Sequence, residues 1–163
     1  MAVMARREGL EFDSPLHSDC APLHSAVQAL LNAGIALHCL RDLTRGGLAT
    51  ALVELAENSG KNLTVREDDI AVCDAVQGAC EILGLDPLYV ANEGRFVAFI
   101  PAADADRALA ALARNPVAAG SRIVGSVGGS VAGSASAQVI MQTSLGCERL
   151  LHQLPGEQLP RIC

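Results

Sequence analysis

The chain ends in Glu157-Gln158-Leu159-Pro160-Arg161-Ile162-Cys163, and the thiol on its last residue is the side chain best suited to covalent chemistry. A thiolate is a strong nucleophile, and an exposed one is readily modified. Pro155 and Pro160 forbid continuous helix and bias the tail toward an extended form. Cys163 therefore reads as the tip of a stiffened tether that reaches a pocket on this chain or on a partner. The plain alternative is an accidental terminal cysteine. Arg161 either steers such a tail toward phosphate or an acidic groove, or is a solvated charge.

A second stretch, Arg41-Asp42-Leu43-Thr44-Arg45-Gly46-Gly47-Leu48, sits where a predicted strand gives way to a predicted helix. Such a junction presents unpaired backbone N–H groups and the positive end of a helix dipole, which suit a phosphate. Gly46 and Gly47 would admit a ligand close to the backbone, and Arg45 would add a charge-assisted contact. In the alternative reading this is an ordinary turn, capped by Asp42 or Thr44, with its glycines there for packing.

The elements that must position these residues follow from apolar spacing and turn signals. A helix is predicted from a cap at Asp19 to Asn32, with Pro22 in its first turn and Gly34 ending it. Ile35–Leu40 reads as a short buried strand. A second helix runs over Gly46–Ser59 with Leu48, Ala51, Leu52, Leu55 and Ala56 on one face, followed by a strand at Leu63–Arg66. A third helix spans Asp74–Leu83, a strand Phe96–Ile100, and a fourth helix opens at Pro101 and Asp104 and closes at Asn115-Pro116. Ile123–Val127 is the next strand, Gly128–Ser134 a flexible loop, and Val139–Gln142 a last strand before the tail. Alternating helices and strands predict a single α/β (α+β) domain, a mixed sheet with helices layered on it.

Composition narrows the function classes. Half the residues are hydrophobic, yet there are only three Phe, one Tyr and no Trp, so the core must be packed with Ala, Val, Leu and Ile. A net charge of −6 without any run of Lys or Arg argues against a nucleic-acid surface. No apolar run approaches membrane-spanning length, and the first residues have the charge order opposite to a signal peptide, so a cytoplasmic protein is expected. The six cysteines form no C-x-x-C pair and have no companion histidine at zinc spacing. Most are expected as small buried hydrophobes, with neither a disulfide set nor a metal site. His17, His24, His38 and His152 have no metal-like spacing.

Taken together, three motifs carry a resemblance. Arg41–Leu48 resembles the Asp-x-Thr-x-Gly-Gly signature of the C-terminal domain of the aminoimidazole ribonucleotide (AIR) synthetase superfamily. The run from Gly78 through Leu85-Asp86-Pro87-Leu88-Tyr89-Val90-Ala91-Asn92-Glu93-Gly94 is similar to one branch of it, as is the Pro160-Arg161-Ile162-Cys163 terminus. That branch is the HypE family of hydrogenase maturation proteins, carbamoyl dehydratases that make the cyanide ligands of NiFe hydrogenases.

The resemblance implies that Cys163 receives a carbamoyl group from a partner carbamoyltransferase. ATP then activates the carbamoyl oxygen, and loss of phosphate and a proton leaves a protein thiocyanate, passed on to an iron-carrying maturation complex. Dehydration needs a base near the docked tail, for which Glu93 is the candidate, with Asn92 orienting the amide; in isolation Asn92-Glu93-Gly94 is a turn. Asp42, Thr44, Arg45, Gly46 and Gly47 are the implied nucleotide-binding residues. The family is larger than this chain, and its N-terminal domain supplies the main ligands for ATP and magnesium. Residues 1–18 are accordingly expected as a remnant of the connection to that domain, 19–152 as the C-terminal domain, and 153–163 as a flexible tail. The isolated domain is expected to be inactive on ATP, and the full-length protein to be a homodimer. Departures from the pattern are Leu43, Cys147 and His152; Cys147 is a second thiol near the tail root, but its pairing with Cys163 is not expected in a reducing cytosol. The alternatives are another ATP-dependent enzyme of the superfamily, or a non-catalytic module that docks partners.

Overall fold

The computed structural model of the chain describes residues 17–130 and 136–154, together with residues 6, 7 and 9. In chain order its regular elements are helix α1 (His24–Asn32), strand β1 (Cys39–Leu43), helix α2 (Gly47–Ser59), strand β2 (Lys61–Arg66), helix α3 (Asp74–Leu83), strand β3 (Asn92–Phe99), helix α4 (Ala105–Leu112), and strands β4 (Gly125–Ser130), β5 (Val139–Gln142) and β6 (Glu148–Leu151). Short 3-10 turns stand at Glu67–Asp69, Pro87–Tyr89 and Ala102–Asp104. The mixed α/β class is as the sequence predicts, but the strands form two sheets where one is expected. The chain divides into two compact units: one comprises Asp19–Leu43 with Asn92–Ile123, and the other includes Thr44–Ala91 and the described residues from Val124 onward.

In the first unit β1 pairs antiparallel with β3, and α1 and α4 pack beside each other. The core is Ala26, Leu30, Ile35, Ala108, Leu112 and Ala118, with Leu40, Phe96 and Ile100 packed against it. Small side chains at Ala26 of α1 and Ala108 of α4 suit close packing of the two helices. Helix α1 begins at His24 rather than after Asp19. Residues 19–21 run instead against β3, where a Cβ on Gly94 would stand 1.6 Å from the Asp19 carbonyl oxygen. Pro22 also disfavours helical backbone at Ala21. The other end is where the sequence puts it: Gly34 adopts φ +65°, and the Ile35 N–H donates to the Leu30 carbonyl at 3.2 Å. Ile35 is committed to the core, and the Ala36 N–H donates to the Asp104 carboxylate at 3.3 Å, so the strand expected at Ile35–Leu40 starts only at Cys39.

The second unit holds a four-stranded sheet in the order β4-β2-β5-β6; β2 and β5 are parallel and the other pairs antiparallel. Helix α2 packs against β2, β5 and the Pro87–Tyr89 turn. It buries Ala49, Leu52, Val53 and Ala56, a stripe at i, i+3, i+4 and i+7, and also Ala51, while Leu48 and Leu55 are half-buried. Helix α3 and strand β5 have the predicted bounds. β4 is displaced from the expected Ile123–Val127 and takes in Gly128–Ser130 of the expected loop, whose remainder lies outside the described residues. Gly125 fixes that placement, since a Cβ there would stand 2.1 Å from the Thr64 carbonyl oxygen. β6 is not foreseen by the sequence; a hairpin through Gly146, at φ +80°, folds it onto β5.

Helix α2 starts at a close approach of two backbone segments. Gly47 adopts φ +60°, and a Cβ on it would lie 2.5 Å from the carbonyl oxygens of both Leu88 and Val90. Among the described residues no helix is long and apolar enough to cross a membrane. The cysteines differ from expectation. Of those described, Cys80 alone is buried, Cys39 is half-buried, and Cys20, Cys73 and Cys147 are exposed. Cys73 precedes the first turn of α3 and Cys147 lies in the β5–β6 hairpin, positions that keep both out of the core. Burial pushes the Cys80 thiol above its ordinary pKa.

Two expectations follow. Gly47→Ala destabilises the protein by at least about 2 kcal/mol, because left-handed strain adds to a clash with backbone that cannot move aside. Gly84→Ala, at φ +65° with nothing within 4 Å of the new Cβ, costs only about 1 kcal/mol; paired denaturant titrations distinguish the two. The raised Cys80 pKa means that the fold favours the neutral thiol. Its contribution is complete below the ordinary thiol range of about 8.5 and is lost as pH rises toward the folded value, so Cys80→Ala flattens the alkaline fall in stability.

Candidate functional site

Strand β1 ends in a feature that gathers three of the candidate residues in the first unit. Asp42 pairs with Phe96, but the next residue, Leu43, pairs with Asn92. Glu93, Gly94 and Arg95 therefore have no opposite residue on β1 and form a bulge in β3. Bulges of this kind re-aim side chains and recur beside active sites. Asn92 and Glu93, expected just before the strand, are its first two residues. The sequence signal is weak because the pairing partner is some fifty positions away, and pairing rather than propensity decides where the strand begins.

Gly94 holds the bulge against the Asp19–Ala21 backbone; besides the Asp19 carbonyl, the Ala21 nitrogen would stand 3.3 Å from a Cβ there. Glu93 is half-buried and Asp42 is exposed. The side-chain oxygen Oδ1 of Asn92 is buried with no hydrogen-bond partner among the described residues. An unmet buried amide oxygen costs about 1–3 kcal/mol, and a donor on a bound group would recover that cost.

Thr44, Arg45, Gly46 and Gly47 fall in the second unit. The Gly47 N–H donates to the Thr44 carbonyl at 3.1 Å, and the Thr50 N–H to the Gly46 carbonyl at 3.2 Å. Neither Asp42 nor Thr44 caps α2: Gly46 occupies the cap position, at φ +74°, without a side-chain bond. Both glycines are accounted for by the chain itself. A Cβ on Gly46 would meet the Thr50 side chain at 2.3 Å, and Gly47 meets the Leu88 and Val90 carbonyls. The space a side chain at Gly47 would need is thus taken by backbone, whereas the Arg45 side chain is exposed. Among the described residues no three His, Cys, Asp or Glu side chains come together as a metal cage. Cys163 lies outside the described residues.

Sequence reasoning overlooks a group of residues around the Pro87–Tyr89 turn. Asp86 caps it, accepting from the Leu88 N–H at 2.9 Å, and Pro87 occupies its first position. The other oxygen of Asp86 receives the Arg149 guanidinium at 2.5 Å. That bond raises the Arg149 pKa above its ordinary value, despite partial burial acting in the opposite direction. Tyr89 is buried, and its hydroxyl donates to the His152 carbonyl at 2.9 Å. Asp-Pro is a legible turn signal, but nothing local in the sequence connects it to residues 149 and 152.

With this geometry established, known proteins give the chain its relatives. Residues 1–141 match the model of the AIR synthase related protein, C-terminal domain. Over 163 residues the chain is 46% identical to the carbamoyl dehydratase HypE of Cupriavidus necator, covering 100% of this chain and 45% of that protein. A crystal structure of the hydrogenase maturation protein HypE in complex with ATP superposes with a TM-score of 0.88 at 45% identity, covering 99% of this chain and 48% of that one. A crystal structure of a HypE–HypF complex gives 0.83 at 35% identity, covering 93% and 48%. The chain thus spans about half the length of the relatives it matches. By fold and by sequence, it belongs to the AIR synthase related C-terminal domain family.

Proposed function

We propose that this chain is the cysteine-bearing C-terminal half of a carbamoyl dehydratase of hydrogenase maturation. The observation that carries the reading is the 46% identity to a carbamoyl dehydratase HypE over the whole length of this chain. In this reading residues 1–18 belong to the connection from an N-terminal domain, 19–152 to the family domain, and 153–163 to a carrier tail.

The Cys163 thiolate takes a carbamoyl group from a carbamoyltransferase, forming the S–C bond. The carbamoyl oxygen is then phosphorylated by ATP, releasing ADP, as the nitrogen gives up one proton. Departure of phosphate and of the second nitrogen-bound proton leaves the C≡N triple bond, and the net change is loss of one water. Glu93 is the carboxylate that takes a proton. Asn92 Oδ1 is an acceptor for a carbamoyl N–H, a role supported by its lack of any other partner among the described residues. ATP and magnesium are held chiefly by the other half of such a protein, with Asp42, Thr44 and Arg45 contributing from this one and Gly46 and Gly47 shaping the turn. A HypE crystallised with ATP supports the nucleotide, and one crystallised with HypF supports a protein partner. The thiocyanate is handed to an iron-carrying complex, by a homodimer in the cytoplasm.

The test joins this chain to the N-terminal half of the Cupriavidus necator relative and incubates it with carbamoyltransferase, carbamoyl phosphate and ATP. Peptide mass should show a thiocyanate on Cys163, whereas this chain alone should stop at the S-carbamoyl adduct. Glu93→Gln should let the adduct accumulate and slow its dehydration about 100-fold. A Cys163 left unmodified by a transferase proven active on another acceptor would sink the proposal.

A further inference from the structure

The Asp86–Val90 turn touches two parts of its unit that the chemistry must bring into register. On one side the carbonyls of Leu88 and Val90 close on Gly47, at the start of α2. On the other, Asp86 holds Arg149 of β6, and the Tyr89 hydroxyl holds the carbonyl of His152, the residue after β6 ends. From Gln153 to Cys163 the chain spans at most roughly 36 Å when fully extended. Where the thiol can reach is therefore set by where His152 is fixed and in which direction the backbone leaves it.

We infer that Tyr89 is a positioning residue for the carbamoyl-dehydration step: its hydroxyl anchors the root of the carrier tail to the turn that also seats Gly47. The inference rests on the reading of Cys163 as the carrier. Three features support an anchor over ordinary core packing. The chain has a single tyrosine, whose ring would fill the same space as phenylalanine without the hydroxyl. That hydroxyl meets a backbone carbonyl beyond the last strand, where no sheet pairing would hold it. The neighbouring Asp86–Arg149 pair fastens β6 to the same turn, so two bonds act on one short segment. Pinning a tether at its root raises the effective concentration of its tip in the orientations the root allows. The gain is set by one net hydrogen bond, which corresponds to about fivefold in rate.

Tyr89→Phe in the chain joined to the Cupriavidus necator N-terminal half separates this from a structural role. One arm follows dehydration of the carbamoyl group on the chain's own Cys163. The other uses the full chain carrying Cys163→Ala and supplies a synthetic S-carbamoyl peptide of residues 153–163 in trans. Tyr89→Phe should slow the reaction in cis about fivefold, leave KM for ATP unchanged, and leave the rate on the peptide in trans unchanged. Equal slowing in both arms, or no slowing in cis, overturns the inference while leaving the dehydratase reading intact. A parent chimera that dehydrates neither substrate overturns that reading and the inference with it.

Discussion

Gly47 stands where two backbone carbonyls, those of Leu88 and Val90, leave no room for a side chain, and the second unit is arranged around that contact. Gly46 and Gly47 both adopt the left-handed conformation at the start of α2. Glycine at the cap position forgoes a side-chain cap, so the helix begins without the roughly 1 kcal/mol that serine or aspartate contributes there. What offsets this is burial: Leu88, Tyr89 and Val90 are all buried, and α2 presents Ala49, Leu52, Val53 and Ala56 to the interior. With alanine recurring along that stripe, close backbone approach supplies much of the packing in a chain with few aromatic residues.

The first unit concentrates its irregularity in one corner. The same strand that pairs regularly from Phe96 to Phe99 skips three residues before Asn92. Gly94 allows the skip because nothing larger fits against Asp19. The result is a half-buried carboxylate and an unmet amide oxygen on consecutive residues, in a unit whose other described elements obey ordinary pairing and packing. Local rules broken at one place, with regular structure around them, are the pattern expected where function overrides stability.

Much of this was legible in the sequence, and the failures share a cause. Helix α3 and strand β5 have the bounds that local signals assign, since Asp74, Gly84 and the apolar run at Val139 act through neighbours in the chain. The start of α1, the late start of β1 and the early start of β3 were not legible, because each depends on a residue distant in sequence: Asp19 against Gly94, Ala36 against the Asp104 carboxylate, Leu43 against Asn92. On local sequence the Gly46-Gly47 pair favours a packing turn over a phosphate site, but the Leu88 and Val90 carbonyls that demand glycine at position 47 were not legible there. Asn92 and Glu93 were legible as candidates, but their shared bulge was not. The cysteines were over-assigned to the core: five of the six are described, and only Cys80 takes up the role of a small buried hydrophobe.

Strand β6 shows why the polar fastenings matter to the fold as well as to the tail. Its sequence, Glu148-Arg149-Leu150-Leu151, offers no clean alternation, and Leu150 is half exposed while Leu151 is buried. Register must therefore come from elsewhere, because a slip of one residue would turn Leu151 outward and Leu150 inward at little hydrophobic cost. The hairpin through Gly146 sets one end of the register. Asp86 sets the other, since Arg149 lies on the same side of the strand as Leu151 and a slip would carry its guanidinium away from that carboxylate. This pair and the Tyr89–His152 bond join the Thr143–Cys147 bonds of the hairpin as directional contacts that favour one pairing. A hydrophobic surface alone would accept either register; the half-buried polar contacts at the rim accept one.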